Sequence, residues 1–128
     1  MKAYITCPVS HTKKRLEVLL LIGKVLKSRR IRPFIFKVGG EPADIFKRDY
    51  KALKSSDILI AEVSERSHGV GVEIGLSFCF GLKRILLIEK GNFVSKLIQG
   101  IPQTEILEYS GQEDMESKLA QALDRHIK

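Results

Sequence analysis

Short runs rich in β-branched residues alternate along this chain with longer stretches whose apolar residues recur at helical spacing. The predicted strands cover residues 3–9, 32–38, 57–64, 83–89 and 104–110, and the predicted helices cover 12–29, 43–56, 71–82, 92–99 and 112–127. Strands that alternate with helices through short connections pair in parallel and are covered by helices on both faces. The sequence therefore predicts an α/β fold with a doubly wound, five-stranded parallel sheet of flavodoxin-like or Rossmann-like type.

The chain length and the absence of long apolar runs set the broad class of protein. With 128 residues, of which 44% are hydrophobic, residues 1–128 are predicted to form one domain with one real core. The sequence contains no apolar run of the ~20 residues that a membrane-spanning helix needs. The first ten residues, MKAYITCPVS, lack the apolar segment of a secretory signal. We therefore expect a cytoplasmic protein.

Cysteine usage and net charge limit the possible cofactors and partners. Cys7 and Cys79 are far apart and are expected to be free thiols, and no cluster of His and Cys indicates a metal or another cofactor. The 22 Lys and Arg residues exceed the 15 Asp and Glu residues, which gives a net charge of +7. Such a charge is compatible with a nucleic-acid surface or with a small anionic substrate such as a phosphate ester.

The glycine-rich segment SHGVGVEIG, residues 67–75, lies where ligands bind in this class of fold. Ligands of doubly wound sheets bind beyond the carboxyl ends of the strands, at the loops that follow the first and third strands. Gly69 and Gly71 would let backbone amides approach an anion, and Ser67 could donate a hydroxyl or cap the helix. The spacing matches neither a Walker loop nor a dinucleotide-binding motif. The segment is therefore either a phosphate-binding loop or a helix cap whose glycines permit tight packing.

Two acidic residues stand out in the helices on either side of the third strand. Glu73 lies among apolar neighbours near a helix start, where we expect the helix dipole to favour its ionised form. It is too far from Ser67 to form a capping box, so it could attack a carbon or stabilise a cation at a pocket floor. Asp49 is flanked by basic residues and is either an ordinary surface acid or a second functional carboxylate.

Three segments in combination resemble one enzyme family: DYKALKSSD (49–57), EVS (62–64) and SHGVGVEIG (67–75). They are similar to the 2'-deoxynucleoside 5'-phosphate N-hydrolases, which belong with the nucleoside 2-deoxyribosyltransferases. The likeness extends to FVSKLIQG (93–100) and covers most of the chain. The resemblance implies a flavodoxin-like fold and cleavage of the N-glycosidic bond of a deoxynucleoside 5'-monophosphate, with no metal or organic cofactor. The products would be a free base and deoxyribose 5-phosphate.

The resemblance also implies a role for individual residues. Glu73 matches the nucleophilic carboxylate, and Asp49 matches the acid that serves the leaving base. Tyr4 matches a tyrosine near the sugar and the nucleophile. Ser67 matches a hydroxyl that binds the 5'-phosphate. Ser95 matches a hydroxyl that reaches the phosphate from a neighbouring subunit, which implies a homodimer with shared active sites.

The first loop departs from the family pattern of glycine-serine followed, two residues on, by arginine. Four residues of this loop are expected to contact the substrate: Cys7, Pro8, Val9 and Ser10. Both the glycine and the arginine are therefore absent. The missing positive charge could come from one of four basic residues that follow: His11, Lys13, Lys14 or Arg15.

Hydrolysis of nucleoside 5'-monophosphates is the leading hypothesis, and three alternatives stay open. Base exchange would use the same nucleophile on an unphosphorylated nucleoside, but Ser67 and Ser95 match the phosphate-binding pattern. The altered first loop motivates a second alternative, a nucleotide-binding module without catalysis. Nucleic-acid binding comes last, because six Phe, three Tyr and no Trp leave few aromatic rings for base stacking.

Overall fold

The computed structural model describes residues 1–9, 14–36 and 39–127. Its elements are β1 (Lys2–Thr6), α1 (Lys14–Ser28), β2 (Arg32–Ile35), α2 (Pro42–Lys54), β3 (Ile58–Glu62), α3 (His68–Cys79), β4 (Lys83–Glu89), α4 (Lys96–Gln99), β5 (Thr104–Tyr109) and α5 (Gln112–Ile127). Every strand pairing is parallel, in the order β2-β1-β3-β4-β5. The predicted doubly wound, five-stranded parallel sheet is confirmed. Within the described ranges, no helix has the length and apolar content to cross a bilayer.

Two apolar layers cover the sheet, because successive side chains of a strand point to opposite faces. Ile5, Ile60 and Ile85 pack against α1 and α5. Their neighbours along the same strands, Tyr4, Leu59 and Leu86, pack against α2 and α3. Every residue of β3 is buried, as expected for the most apolar run of the sequence at the centre of the sheet.

Three predicted strands are too long at their carboxyl ends. The strands predicted over 3–9, 32–38 and 57–64 end at Thr6, Ile35 and Glu62, and residues 37–38 lie outside the described part of the chain. Beyond β1, Pro8 has no N–H to donate to a strand ladder. Beyond β3, Ser64 donates its backbone N–H, at 2.5 Å, and its hydroxyl, at 3.0 Å, to the Glu62 carboxylate instead. The chain thus leaves the sheet earlier than the apolar pattern indicates and forms loops.

Serine caps decide where two helices begin. Helix α3 starts at His68 rather than at residue 71, because Ser67 has an extended backbone and its hydroxyl accepts a hydrogen bond from the N–H of Val70 at 3.3 Å. Helix α4 starts at Lys96 rather than at residue 92, and Ser95 caps it in the same way. Because α3 starts earlier, its first turn lies at the carboxyl ends of the strands, where Ser67 and Gly69 line the same cavity as Cys7 and Val9 of the loop that follows β1.

A buried ionic network joins the carboxyl ends of β3 and β4 to α1. Arg15 is 5% exposed, and its guanidinium Nη1 lies 2.8 Å from the Glu89 carboxylate and 3.6 Å from that of Glu62. Glu62 is fully buried and also accepts hydrogen bonds from Ser64 and from the Tyr109 hydroxyl. Buried carboxylates are tolerated only when cations and donors compensate them. Arg15 therefore fixes the strand ends from which the loops of the crevice depart.

The substitution Arg15→Met should destabilise the fold by about 3 kcal/mol, because it leaves two carboxylates at the strand ends without their cation. The control Arg29→Met removes a more exposed pair with Asp124 and should cost at most about 1 kcal/mol. Urea unfolding of both variants measures the difference. Equal losses of unfolding free energy would show that the Arg15 network contributes no more than a surface ion pair.

Candidate active site

Glu73 is held by two hydroxyl groups of strand β1. The Tyr4 hydroxyl donates to Oε2 of Glu73, and Oγ1 of Thr6 donates to Oε1 at 2.8 Å. Tyr4 and Thr6 are two residues apart on a strand, so both side chains point to the face that α3 covers. Since both carboxylate oxygens have a donor, the orientation of Glu73 is fixed at the carboxyl end of β1.

Asp49 reaches the same place from helix α2. Its charge raises the pKa of Glu73, and through charge and hydrogen bonding it also raises the pKa of Tyr4. On its other side, Oδ1 of Asp49 accepts a hydrogen bond from Nε of Arg48 at 3.0 Å. The structure thus brings together the three residues Glu73, Asp49 and Tyr4, which the sequence analysis selected from different elements.

Burial dominates the electrostatics of Glu73. Desolvation raises the pKa of its carboxyl, the hydrogen bonds from Tyr4 and Thr6 lower it, and the charge of Asp49 raises it, with a net increase. The effect of burial therefore exceeds that of the groups that favour the ionised form, and the contribution expected from the helix dipole stays a prediction. Burial and the Glu73 charge also raise the pKa of Tyr4 far above its usual range, so Tyr4 remains a hydrogen-bond donor.

A cavity of about 460 Å³ opens beside the two acids. Its walls are mostly apolar, and Phe46 and Tyr50 of α2 contribute aromatic rings whose centroids are 5.7 Å apart. Phe46 is 53% exposed and therefore belongs to the cavity wall, not to the core. The size and the lining match those of pockets that bind small organic ligands.

Two of the four residues that were predicted to contact the substrate from the loop after β1 lie at the cavity. Cys7 and Val9 line the cavity, whereas Pro8 does not, and Ser10 lies outside the described residues. Burial raises the pKa of Cys7 to about 12, so the thiol stays protonated and is an apolar wall group rather than a nucleophile. Both cysteines are free, as expected.

In the segment that follows β3, Ser67 and Gly69 line the cavity and Gly71 does not. Within a single chain the glycines do not serve tight packing. A Cβ added at Gly69 would be 3.9 Å from the nearest atom, and at Gly71 or Gly75 it would meet no atom within 4 Å. The Ser67 hydroxyl accepts the capping hydrogen bond, so its own proton can be donated to a ligand.

Ser95 lies away from the cavity in this chain. It caps α4 by accepting a hydrogen bond from the N–H of Leu97 at 3.2 Å, and it is exposed. Its neighbours Phe93 and Leu97 are 92% and 84% exposed. A contact between Ser95 and a ligand in this cavity would therefore need a second copy of the chain.

Arg15 does not supply the positive charge that the first loop lacks, because three carboxylates surround it and it does not line the cavity. His11, Lys13 and the side chain of Lys14 lie outside the described part of the structure. Arg48 is the cationic side chain among the described residues that line the cavity. Those residues include no group of three His, Cys, Asp or Glu side chains that could hold a metal ion, and neither does the rest of the described chain.

Sequence reasoning missed Thr6 and Arg48. The signal for Thr6 was available, since strand alternation places it on the same face as Tyr4. Arg48 stands in the basic segment KRDYK and could not be distinguished there from a solvated lysine or arginine.

Comparison with known proteins shows the family of this chain. A protein of Thermofilum pendens with the provisional name 2'-deoxynucleoside 5'-phosphate N-hydrolase 1 is 34% identical over 112 residues, which cover 79% of this chain and 78% of the relative. The chain belongs to the 2'-deoxynucleoside 5'-phosphate N-hydrolase family. A second N-hydrolase of the same provisional name, from Syntrophotalea carbinolica, is 31% identical over 98 residues, 73% of this chain and 69% of the relative. No family model matches the chain.

Two solved structures of enzymes superpose on this chain over nearly its whole length. The CMP N-glycosidase BcmB of Clostridium botulinum superposes with a TM-score of 0.71 and 26% identity, over 93% of this chain and 98% of that chain. A 2-deoxyribosyltransferase of Bacillus psychrosaccharolyticus superposes with a TM-score of 0.70 and 19% identity, over 93% and 96% of the two chains. The second likeness shows a shared fold alone.

Replacing Tyr4 by Phe should raise the pKa of Glu73 further, because it removes a hydrogen bond to the ionised carboxylate. NMR titration of the labelled Glu73 carboxyl carbon measures the change. Tyr109→Phe is the matched control, since Tyr109 donates to Glu62 in the ionic network outside the cavity. An unchanged Glu73 titration in Tyr4→Phe would contradict the proposed coupling.

Proposed function

We propose that this protein hydrolyses the N-glycosidic bond of nucleoside 5'-monophosphates, releasing the free base and the (deoxy)ribose 5-phosphate. The observation that carries the proposal is the meeting of Glu73 and Asp49, from different helices, beside Tyr4 at one cavity. The names of the relatives, two N-hydrolases and a CMP N-glycosidase, support it.

The first half of the reaction breaks the bond to the base. As the bond between C1' and the base nitrogen lengthens, positive charge develops at C1', and Glu73 bonds to that carbon to form a glycosyl ester. The base leaves with a proton donated by the Asp49 carboxyl. Thr6 and Tyr4 hold the Glu73 carboxylate in place for this attack.

The second half releases the sugar phosphate. A water molecule attacks C1' as Asp49, now a carboxylate, takes its proton, and the ester bond to Glu73 breaks. Glu73 returns as a carboxylate and Asp49 as an acid, so the enzyme is unchanged. Neither half needs a group beyond the two carboxyls and water.

The polar and apolar ends of the cavity orient the nucleotide. The Ser67 hydroxyl and the backbone near Gly69, at the start of α3, would bind the 5'-phosphate. The rings of Phe46 and Tyr50 would contact the base. This placement supports a phosphorylated substrate and therefore favours hydrolysis over base exchange. A second free base added to the assay tests for exchange, because a transferase would form a new nucleotide.

Nucleotide binding without turnover is a further alternative. It predicts that the Glu73→Gln variant binds nucleoside monophosphates as the original protein does, and that neither releases base. The convergence of Asp49 and Glu73 on Tyr4 supports catalysis, because a binding module has no need of a second carboxylate beside the first.

A homodimer with shared sites is part of the proposal. Phe93, Leu97, Val72 and Phe78 are more than half exposed, and the open side of α3 at Gly71 and Gly75 leaves room for close contact. Exposed apolar side chains of this size favour an interface. In a dimer built on this surface, Ser95 would reach the phosphate bound at the partner's Ser67.

The substitution Glu73→Gln should lower base release by a factor on the order of 10³ or more, because it removes the nucleophile. It should also raise the melting temperature at neutral pH. The raised pKa of Glu73 means that the folded state loses stability as pH rises above the ordinary range for glutamate, and glutamine carries no charge. Chromatography of released base and thermal unfolding measure the two effects.

Glu17→Gln, at an exposed position of α1, is the control for both measurements and should change neither. Full base release by Glu73→Gln would contradict the role of Glu73. An absence of base release by the original protein, with its fold intact and every common monophosphate supplied, would contradict the function itself.

Mixing two inactive variants tests the shared site. If Ser95 acts across the interface, dimers that exchange subunits between Glu73→Gln and Ser95→Ala contain one intact site, and the mixture recovers about a quarter of the original activity. Lys96→Ala in place of Ser95→Ala controls for damage to α4. Activity no higher than the sum of the separate variants would contradict a shared site.

A further inference from the structure

The net charge of +7 is not concentrated at the cavity. Among the described residues that line the cavity or form the Arg15 network, the cations are Arg15 and Arg48, and the acids are more numerous: Asp49, Glu62, Glu65, Glu73 and Glu89. A positive field that attracts a small anionic substrate would be strongest where that substrate binds. Such a substrate therefore does not account for the excess charge, and the nucleic-acid explanation from the sequence remains.

The opposite end of the sheet carries a set of basic side chains. In an all-parallel sheet, the strands begin and the covering helices end on the same side. Three members of the set open strands and three lie at or just beyond helix ends, and together they are termed the basic pole: Lys2, Arg32, Lys83, Lys27, Arg30 and Lys54. Lys2 is half-buried and the other five are exposed.

The charges of the basic pole are largely uncompensated. Within residues 1–9, 14–36 and 39–127, none of the six side chains pairs with a carboxylate. Three acids lie near this end of the sheet. Asp124 pairs with Arg29 at 2.9 Å, and Glu105 pairs with a cation of α5. Asp57 accepts the backbone N–H of Lys2 at 2.8 Å, so of these three acids only Asp57 leaves its charge to the basic pole.

The strand register fixes the spacing of three of these cations. Lys2 is the register partner of Arg32, and β3 lies between Lys2 and Lys83. Since neighbouring strands are ~4.8 Å apart, the row from Arg32 to Lys83 spans about 15 Å. A nucleic-acid duplex carries about one negative charge per 1.7 Å of its axis. Several phosphates therefore lie within reach of this row.

The composition of the basic pole fits a phosphate backbone better than a protein or a lipid surface. Protein interfaces are poor in lysine and centred on apolar residues, and binding at a membrane surface needs apolar side chains that insert. Met1 is exposed beside Lys2, but it is a single side chain. The ring of Phe34 is stacked on Tyr4 at 5.2 Å, and Nζ of Lys2 lies 5.7 Å from its centroid, so this ring is not free to stack on a base. The basic pole thus offers charge, which contacts phosphates without reading bases.

We propose that the basic pole is a docking surface for duplex nucleic acid, which binds through its phosphate backbone and without regard to base sequence. The cavity opens at the other end of the strands, so it stays accessible to a small substrate while the protein is docked. None of the six residues lines the cavity, and the inference is therefore independent of the proposed reaction.

The test measures the affinity for a fluorescein-labelled DNA duplex of mixed sequence, about 25 base pairs long, by fluorescence anisotropy between about 50 and 200 mM salt. We expect a Kd at or below about 1 µM at the lower salt. The logarithm of the association constant should fall with the logarithm of the salt concentration with a slope of about −4 to −5, because each phosphate contact contributes about −0.9.

A triple variant of exposed cations tests the location: Arg32→Gln, Lys54→Gln and Lys83→Gln. It should make the slope shallower by about 3 and weaken binding at the lower salt by a factor on the order of 10² or more. Base release should be unchanged, since the substitutions lie away from the cavity. Circular dichroism verifies that the variant folds.

The matched control removes the same net charge from exposed positions outside the basic pole: Lys47→Gln, Lys90→Gln and Lys96→Gln. It should change the affinity for the duplex by less than about fivefold. Equal losses in the two triple variants would overturn the inference, because they would show that the net charge alone attracts the DNA.

Three further results would overturn it. The first is no measurable binding of the duplex by the original protein at the lower salt. The second is displacement of the duplex, at constant ionic strength, by a saturating mixture of nucleoside 5'-monophosphates, which would place the DNA at the cavity. The third is sedimentation with phosphatidylserine vesicles, or capture by polyglutamate, without binding to the duplex, which would assign the basic pole to a membrane or to an acidic protein.

Discussion

The hydrogen bonds from Tyr4 and Thr6 to Glu73 are the contact on which the rest of the site depends. A carboxylate near the bottom of an apolar cavity loses hydration, and without donors it would be neutral or would turn toward solvent. Two hydroxyls on one face of β1 satisfy both of its oxygens but do not fully offset the burial, so the pKa stays raised. The result is a carboxylate that is fixed in direction and weakly solvated, as the nucleophile of the proposed reaction should be.

The topology of the sheet makes that contact possible. Strand order reverses between β1 and β3, so the chain leaves these neighbouring strands toward opposite faces and opens a crevice at their carboxyl ends. The Ser67 cap then starts α3 early enough for Glu73 to lie beside β1, and α2 brings Asp49 from the other side. The ionic network around Arg15 holds the carboxyl ends of β3 and β4 from the opposite face. The positions of the two acids are therefore set by the sheet and not by a flexible loop.

The fold could be predicted from the sequence because its signals are local. The alternation of strand and helix periods gives the parallel sheet, and β4 and α5 have the predicted bounds. The errors occur where side chains override apolar patterns: Pro8 and the Glu62 carboxylate end strands early, and Ser67 starts a helix early. These effects depend on hydrogen bonds that a hydrophobic profile does not contain.

The site could be predicted only in part. Glu73 stands out as a lone acid among apolar residues, but its raised pKa depends on burial by distant elements. The sequence around Asp49 and Arg48 is that of an ordinary solvent-exposed helix face. Only the folded structure shows that both residues line the cavity. The aromatic wall of Phe46 and Tyr50 is likewise a property of the space between α2 and α3.

The central claim is that Glu73 becomes covalently bonded to C1' of the sugar. A 2'-fluorinated nucleoside 5'-monophosphate should trap this ester, because fluorine at C2' slows its hydrolysis by destabilising the positive charge at C1'. Trypsin cleavage after Arg66 and Lys83 releases the peptide 67–83, in which Glu73 is the sole acidic side chain. Mass spectrometry should find the fluorinated sugar phosphate on this peptide. Base release from the analogue with no adduct, or with the adduct on another peptide, would contradict the claim.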